Sequence, residues 1–205
     1  MKLADMDLRK FGEVLASDAP APGGGSIAAL MGALGAGLTA MVARLTKADP
    51  SSERTKEIME EADQLRVDLT DAIDKDTDAF MLVSNAFSMP KETDEEKTAR
   101  SAAIQAGLVE CTESPLNMMV LMNRAIDLTV KLSEDYNKNA ASDLGVSALS
   151  IEAGIKGAYY NVLINVGSLK DKEKAQGYRE KAEEILAEVI EKAKAVQAMV
   201  EETIA

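Results

Sequence analysis

The chain has 205 residues, a formal net charge of −12 at pH 7, one cysteine and no histidine. The acidic balance argues against a nucleic-acid or anionic-membrane partner. The lone Cys111 excludes an intrachain disulfide framework and predicts a cytoplasmic protein. A chain of this length suits one domain, which we expect to span 1–205.

The absence of histidine restricts the chemistry further. It excludes the common zinc sites, di-iron sites built from Glu-x-x-His pairs, and any nucleophile activated by histidine. Catalysis must then use carboxylates, Lys, Tyr, Ser or backbone groups, and we expect no metal and no cofactor.

Helical periodicity runs through almost the whole chain, and no alternating strand pattern occurs. Each of the five prolines stands at a plausible helix boundary. The fold class predicted is an all-α antiparallel bundle of about seven helices without a β-sheet. The predicted helices lie near 6–17, 26–47, 51–88, 95–113, 115–134, 141–166 and 171–203.

A proline–glycine segment precedes the second helix. Pro22 cannot continue a helix from its N-terminal side, and Gly23, Gly24 and Gly25 permit close backbone approach. Ser26 is predicted to cap the helix that follows. Backbone N–H groups at such a helix start favour an anion or a carbonyl oxygen. The segment is therefore either a ligand-binding loop or an ordinary turn with a cap.

The second helix is rich in Ala and Gly and carries no charge over 26–43. Its length approaches that of a bilayer span, but its hydrophobicity is weak, and the other helices are typical of a water-exposed bundle. Four acidic residues precede it where a signal peptide would be basic. We therefore predict a buried central helix and no membrane role.

The third helix carries one misplaced charge. At 100° per residue, Leu65, Leu69, Phe80 and Phe87 share an apolar face with other hydrophobic residues, and Asp76 falls within that face. A carboxylate buried there must be paired, protonated or used in chemistry. Asp76 is therefore a candidate general acid/base. The alternatives are a helix kink that turns it to solvent, or a structural carboxylate that caps another segment.

A stripe of small and polar residues runs along one face of helix 141–166, from Asp143 through Ser147 and Gly154 to Asn161 and Asn165. It indicates either a close helix crossing or the wall of a pocket. The two asparagines could grip a ligand or satisfy backbone groups. Upstream, the default role of the polar residues around Asn139 is capping.

Four segments carry a resemblance to a known family: APAPGGGSIAALMGALGAGL, KDTDAF, SMPKETDEEKTARSAAIQAGL and NKNAASDLGVSALSIEAGIKGAYYNVLIN. In this order they resemble the cyclodeaminase/cyclohydrolase family. That family includes formiminotetrahydrofolate cyclodeaminase, which is the C-terminal part of formiminotransferase-cyclodeaminase, and stand-alone methenyltetrahydrofolate cyclohydrolases. The resemblance implies an all-helical homodimer with folate sites in clefts near the subunit contact.

The chemistry implied by the resemblance acts on the N5–C–N10 bridge of tetrahydrofolate. In the family pattern the aspartate four residues before Phe80, here Asp76, is catalytic. The implied substrate-binding residues are drawn from the patterns above: Gly23, Gly24, Gly25, Ser26, Asn139, Asp143, Asn161 and Asn165. Lys47, Arg44 and Arg100 are candidates for the folate's glutamate tail, because a carboxylate ligand on an acidic protein needs local cations.

Two questions stay open at the level of sequence. The activity is cyclodeamination, cyclohydrolysis or both. No segment is long enough to be a formiminotransferase domain, so formimino transfer would need a separate protein. A non-catalytic helical dimer that binds folate or serves as a scaffold is the alternative to an enzyme.

Overall fold

The computed structural model describes residues 2–46 and 53–205. Over these residues it contains six α-helices and two short 3₁₀ turns, with no β-strand. The 3₁₀ turns are Leu3–Asp5 and Lys138–Ala140. The helices are α1 Leu8–Leu15, α2 Gly24–Leu45, α3 Glu53–Phe87, α4 Asp94–Ser133, α5 Ala141–Val166 and α6 Lys172–Ile204. The all-α fold class is confirmed.

Helix α2 is the centre of the bundle and packs against α3, α4 and α5, while α6 packs against α4 and α5. The glycines of α2 determine how closely the neighbouring helices approach it. A Cβ at Gly32 would lie 2.8 Å from Met122 of α4, and one at Gly35 would lie 2.5 Å from Ile151 of α5. By length and composition α2 could span a membrane, but 61% of its most apolar window is buried within the fold. The prediction of a buried central helix is confirmed.

Helices α2 and α3 run antiparallel, and the residues that face the glycines of α2 define their register. Gly25 faces Asp76, Gly32 faces Leu69, and Gly37 faces Arg66. Because α2 starts near the level of Asp76, the C-terminal part of α3 that follows Asp76 extends beyond it. This overhang packs against α4, where a Cβ at 107 would lie 2.8 Å from Val83.

The overhang corrects one prediction about α3. Leu65, Leu69 and Val83 are buried as predicted, but Phe80 and Phe87 are exposed. Both rings lie at the same angle around α3 as the buried residues Leu65 and Leu69. They are exposed because α2 does not extend far enough to cover them. Asp74 of the same helix is half-buried and accepts a hydrogen bond from the Leu3 N–H at 2.7 Å.

Helix α4 corrects a second prediction. The sequence predicted a break at Pro115, but Asp94–Ser133 is one continuous helix with Pro115 buried inside it. The two predicted helices 95–113 and 115–134 are therefore one, and the described part of the chain has six helices instead of seven. The start of α4 is well defined, because Thr93 and Glu96 form a reciprocal capping box.

Three buried hydroxyls join α2, α4 and α5 deep in the core. Thr39 Oγ1 lies 2.7 Å from Thr129 Oγ1 and 2.8 Å from Ser147 Oγ. Ser147 also donates to the Gly35 carbonyl oxygen at 2.8 Å. All three hydroxyls are hydrogen-bonded, so the cluster holds the three helices in one register without leaving an unsatisfied polar group.

Candidate functional site

The N-terminus of α2 and the side chain of Asp76 on α3 form the centre of the candidate site. A Cβ at residue 25 would lie 2.5 Å from Asp76 Cγ and closer still to both carboxylate oxygens. The carboxylate therefore occupies space that only glycine leaves open. The first N–H groups of a helix have no acceptor within the helix, so the carboxylate lies near backbone N–H groups of α2 that have no partner in that helix.

Asp76 is half-buried, and its side chain has no hydrogen-bond or ion-pair partner among the residues that the structure describes. Burial raises the pKa of the Asp76 carboxyl from 3.8 to about 6. A carboxyl with a pKa near 6 exchanges a proton readily near neutral pH, which is what a general acid/base requires. Its oxygens also remain available to a ligand.

The structure corrects the predicted role of Ser26. Helix α2 begins two residues before it, with Gly23 at the N-cap and no side-chain cap hydrogen bond. Ser26 lies in the first turn, 1% exposed, and its Oγ has no hydrogen-bond partner within the described part of the chain. A buried hydroxyl without a partner is unusual in a native fold, so the Ser26 Oγ is a group that a bound ligand would satisfy.

Helix α4 contributes Cys111 to the surroundings of Asp76. Burial first, and then the charge of the Asp76 carboxylate, raise the pKa of the Cys111 thiol to about 11. The thiol is therefore protonated near neutral pH and lies close enough to the carboxylate to feel its charge. Sequence reasoning did not assign Cys111 to the site, because contacts between α3 and α4 are not visible in the local pattern.

Helix α5 brings the two predicted asparagines to the same end of the bundle. Asn161 lies beside Gly24, whose Cβ would be 3.4 Å from Asn161 Nδ2, and it donates to the carbonyl of Gly157 at 2.9 Å. Asn165 donates from Nδ2 to the Cys111 carbonyl at 2.6 Å. Both partners are carbonyl oxygens, so each amide uses one N–H, while its second N–H and its Oδ1 acceptor remain available.

The rest of the α5 stripe is a helix crossing. Ser147 is buried against Gly35, and a Cβ at Gly154 would lie 2.9 Å from the Ala28 carbonyl oxygen. The stripe was interpreted as either a close helix crossing or the wall of a pocket. Its middle is a close crossing, and only its C-terminal end reaches the candidate site.

Asn139 and Asp143 lie at the other end of α5. Asp143 is in the first turn of that helix and Asn165 is in its last, which places them about 33 Å apart along the helix axis. Asn139 belongs to the 3₁₀ turn before α5, where its N–H donates to the Asn137 side chain. Within one chain, these two residues are not brought together with Asp76.

The predicted basic residues are dispersed. Arg44 forms an ion pair with Asp63 on α3. Arg100 donates to the Phe87 carbonyl at 3.1 and 3.3 Å and lies 5.5 Å from the centre of the Phe87 ring, so it closes the turn between α3 and α4. Lys47 lies outside the described residues.

Surface grooves of the described residues lie near the site, and two of them have volumes of about 600 Å³ or more. One of about 630 Å³ runs beside the glycine segment, between α2 and α5, and includes Gly23, Gly24, Ile27, Met31 and Tyr160 in its lining. Tyr160 was not among the residues predicted from sequence, although the sequence does show an aromatic residue directly before Asn161.

The other groove, of about 600 Å³, lies between α3 and α4. Four carboxylates and one lysine line it: Asp68, Lys75, Asp78, Glu110 and Glu113. Asp76 is not among the lining residues of either groove. Its acidic lining is unfavourable for an anionic ligand, so the groove beside the glycine segment is the better candidate.

Comparisons with known proteins agree with this geometry. The structure superposes on a crystal structure of formiminotetrahydrofolate cyclodeaminase from Thermotoga maritima with a TM-score of 0.88, 27% identity and full coverage of both chains. The fold is therefore that of a cyclodeaminase. The sequence model described as formiminotransferase-cyclodeaminase matches residues 7–184.

The names of curated relatives include both a cyclohydrolase and a cyclodeaminase. The chain is 40% identical over 185 residues to the methenyltetrahydrofolate cyclohydrolase of Methylorubrum extorquens, covering 88% of this chain and 89% of that protein. It is 32% identical over 202 residues to the formimidoyltransferase-cyclodeaminase of Rattus norvegicus, covering 97% of this chain. It spans 37% of the length of that second relative.

The chain belongs to the formiminotransferase-cyclodeaminase family, as the four sequence segments predicted. It is an enzyme of the folate cyclodeaminase/cyclohydrolase type, which decides against the alternative of a non-catalytic bundle.

Proposed function

We propose that this enzyme acts on the N5–C–N10 bridge of a tetrahydrofolate, with Asp76 as the general acid/base. The observation that carries the proposal is the Asp76 carboxyl itself. It is half-buried, has a pKa raised to about 6 by that burial, and lies against Gly25 at the start of the central helix. A carboxylate in this state costs folding free energy, which is typical of functional sites.

For cyclohydrolysis, a water oxygen attacks the bridge carbon of methenyltetrahydrofolate. Ionised Asp76 accepts the first proton of the water as the C–O bond forms and then releases it to solvent. In the second step the C–N5 bond breaks, the remaining hydroxyl proton leaves as the formyl C=O forms, and N5 gains a proton through Asp76. The methenyl group is cationic, so the same carboxylate also stabilises the bound substrate electrostatically.

For cyclodeamination, N10 of 5-formiminotetrahydrofolate attacks the formimino carbon. The formimino group reacts as its protonated amidinium, so once N10 has lost its proton one further proton lets the departing NH2 group leave as ammonia, and the cationic methenyl bridge closes. One carboxylate serves both transfers. We favour cyclohydrolysis as the principal activity, because the 40% identical cyclohydrolase matches this chain over nearly its whole length. The full-length match to the Thermotoga maritima cyclodeaminase supports cyclodeamination as the second candidate.

We place the folate in the groove beside the glycine segment. The first N–H groups of α2, at Gly24 and Gly25, would face the reacting end of the ligand, and the buried Ser26 hydroxyl would gain a partner there. The Asn161 Oδ1 is an acceptor for the N–H groups of the pterin. Tyr160 offers an exposed ring for stacking on the flat pterin.

We propose further that two copies of the chain associate through the outer face of α2 and α5. Leu34 of α2, and Leu149 and Ile164 of α5, are each more than half exposed. A two-fold axis perpendicular to α5 near its middle would bury these residues in the contact between the two copies. It would also bring Asn139 and Asp143 of one copy toward Asn165 of the other, so that both ends of the α5 stripe would serve one site.

The proposed reaction is tested by the absorbance of the methenyl chromophore in the near ultraviolet. Purified protein is given methenyltetrahydrofolate in a buffer that limits spontaneous hydrolysis, or 5-formiminotetrahydrofolate, with Asp76→Asn as the control. Enzyme-dependent loss of absorbance identifies a cyclohydrolase, and its appearance together with ammonia release identifies a cyclodeaminase. Rates equal to the uncatalysed rates with both substrates would refute the proposed function.

A further inference from the structure

Helix α4 passes through Pro115 without a break, and the proline is buried. A proline has no N–H group, so the Cys111 carbonyl four residues earlier lacks the donor that a regular helix would supply. A carbonyl inside a protein that loses its hydrogen bond costs free energy, and the fold must supply another donor.

Asn165 of α5 is that donor. Its Nδ2 donates to the Cys111 carbonyl oxygen at 2.6 Å, across the contact between α4 and α5. The neighbouring Asn161, one turn earlier on the same helix, donates instead to Gly157 of its own helix. The two asparagines therefore differ in role: one satisfies its own helix, and the other joins two helices at the position where α4 lacks a hydrogen bond.

The turn of α4 held in this way borders the reacting group. Cys111 provides the carbonyl, and its thiol lies near the Asp76 carboxylate. We propose that Asn165 is a positioning residue and not a substrate ligand: by replacing the hydrogen bond that Pro115 withholds, it holds the α4 turn that borders Asp76. The catalytic consequence of this inference rests on the proposed role of Asp76. The pairing of Asn165 with Pro115 is independent of that role.

The pairing is tested by a double-mutant cycle on thermal unfolding of the full chain. Asn165→Ala removes the donor, and we expect the melting temperature to fall by about 2–6 °C. Pro115→Ala restores a backbone N–H for the Cys111 carbonyl, so adding Asn165→Ala in that background should cost less than half as much. Asn161→Ala is the matched control, and its cost should be the same with and without the Pro115→Ala substitution.

An equal cost of Asn165→Ala in both backgrounds, or failure to fold in both, would overturn the pairing. Folding of the double variant when Asn165→Ala alone is unfolded would support it. Turnover is not required for this measurement. A wild-type protein without folate activity would refute the proposed function and leave the pairing to be decided by the unfolding data.

The catalytic consequence has a separate kinetic test. In the presence of Pro115, Asn165→Ala should lower kcat about tenfold with KM within about twofold, because the reacting geometry changes and the ligand contacts do not. In the Pro115→Ala background the same substitution should lower kcat by less than half that factor. A rise in KM with unchanged kcat, in both backgrounds, would instead make Asn165 a substrate ligand and overturn the inference.

Discussion

The Asp76 carboxylate lies directly against the backbone of Gly25, in the space that a side chain at residue 25 would fill. This contact between the third and second helices explains two features of the sequence at once. The glycine is required for close approach, and the aspartate within an apolar helix face is placed at the start of the central helix.

Gly25→Ala should disturb both the fold and the chemistry. The added methyl group overlaps the carboxylate, so either Asp76 or α2 must move. We expect a loss of about 1–3 kcal/mol in the free energy of unfolding and a fall in kcat of about tenfold or more. Urea unfolding and the methenyl absorbance assay measure the two effects.

Gly177→Ala is the matched control for this substitution. Residue 177 lies in the interior of α6, and nothing lies within 4 Å of a Cβ built there. Since alanine favours a helix over glycine, we expect a gain of about 0.5–1 kcal/mol. If both glycine substitutions changed stability in the same direction and by similar amounts, the steric account of Gly25 would be wrong.

Asp76→Asn should stabilise the protein at alkaline pH. Burial raises the pKa of the native carboxyl from 3.8 to about 6, so the native state binds this proton more tightly than the unfolded state. The stability of the wild type therefore falls as pH rises from about 4 to about 6, and the penalty is complete above that range. We expect Asp76→Asn to be more stable by about 1–3 kcal/mol at about pH 8 and little different at about pH 3.5.

Denaturant unfolding at a series of pH values checks this expectation. The control is Asp71→Asn, a solvent-exposed aspartate on the same helix. A pH-independent difference between Asp76→Asn and the wild type would contradict the raised pKa.

The activity should depend on the ionisation of the same carboxyl. A general base with a pKa of about 6 is protonated in acid, so kcat/KM should fall below about pH 6 and level off above about pH 7. Asp76→Asn should lower kcat about 10²–10⁴-fold across the profile. A wild-type profile with no acidic limb would argue that another group transfers the proton.

Thr39→Val should weaken the core without altering its shape. The substitution removes the hydroxyl that links Thr129 and Ser147, while Ser147 keeps its bond to Gly35 and Thr129 keeps its bond to Ala125. Because both remaining hydroxyls stay hydrogen-bonded, we expect a modest loss of about 0.5–1.5 kcal/mol. A loss above about 3 kcal/mol in chemical unfolding would show that the remaining hydroxyls do not stay satisfied.

Leu149→Glu tests the proposed association of two copies. A carboxylate on each copy at an apolar contact is unfavourable, so the variant should run as a monomer in light scattering coupled to size exclusion. Ile204→Glu, an exposed apolar position near the end of α6, should leave the oligomeric state unchanged. A wild-type protein that is monomeric at micromolar concentration would refute the proposed interface.

The sequence by itself determined the helical class and much of the candidate site. Helical periodicity depends on residues three and four apart, so it identified most helix bounds to within a few residues. It also placed Asp76 on the inward face of α3, and the small residues of α2 indicated close packing. These features are local, and a single chain segment carries all the information they need.

Tertiary structure alone decided the rest. Pro115 should end a helix by local rules, but α5 supplies an asparagine that replaces the missing hydrogen bond. Phe80 and Phe87 are exposed because α2 begins too late to cover them. Asn139 is separated from Asp76 because α5 is long. In each case the outcome depends on where a second helix begins, ends or crosses, and hydrogen bonding and packing between distant segments set those positions.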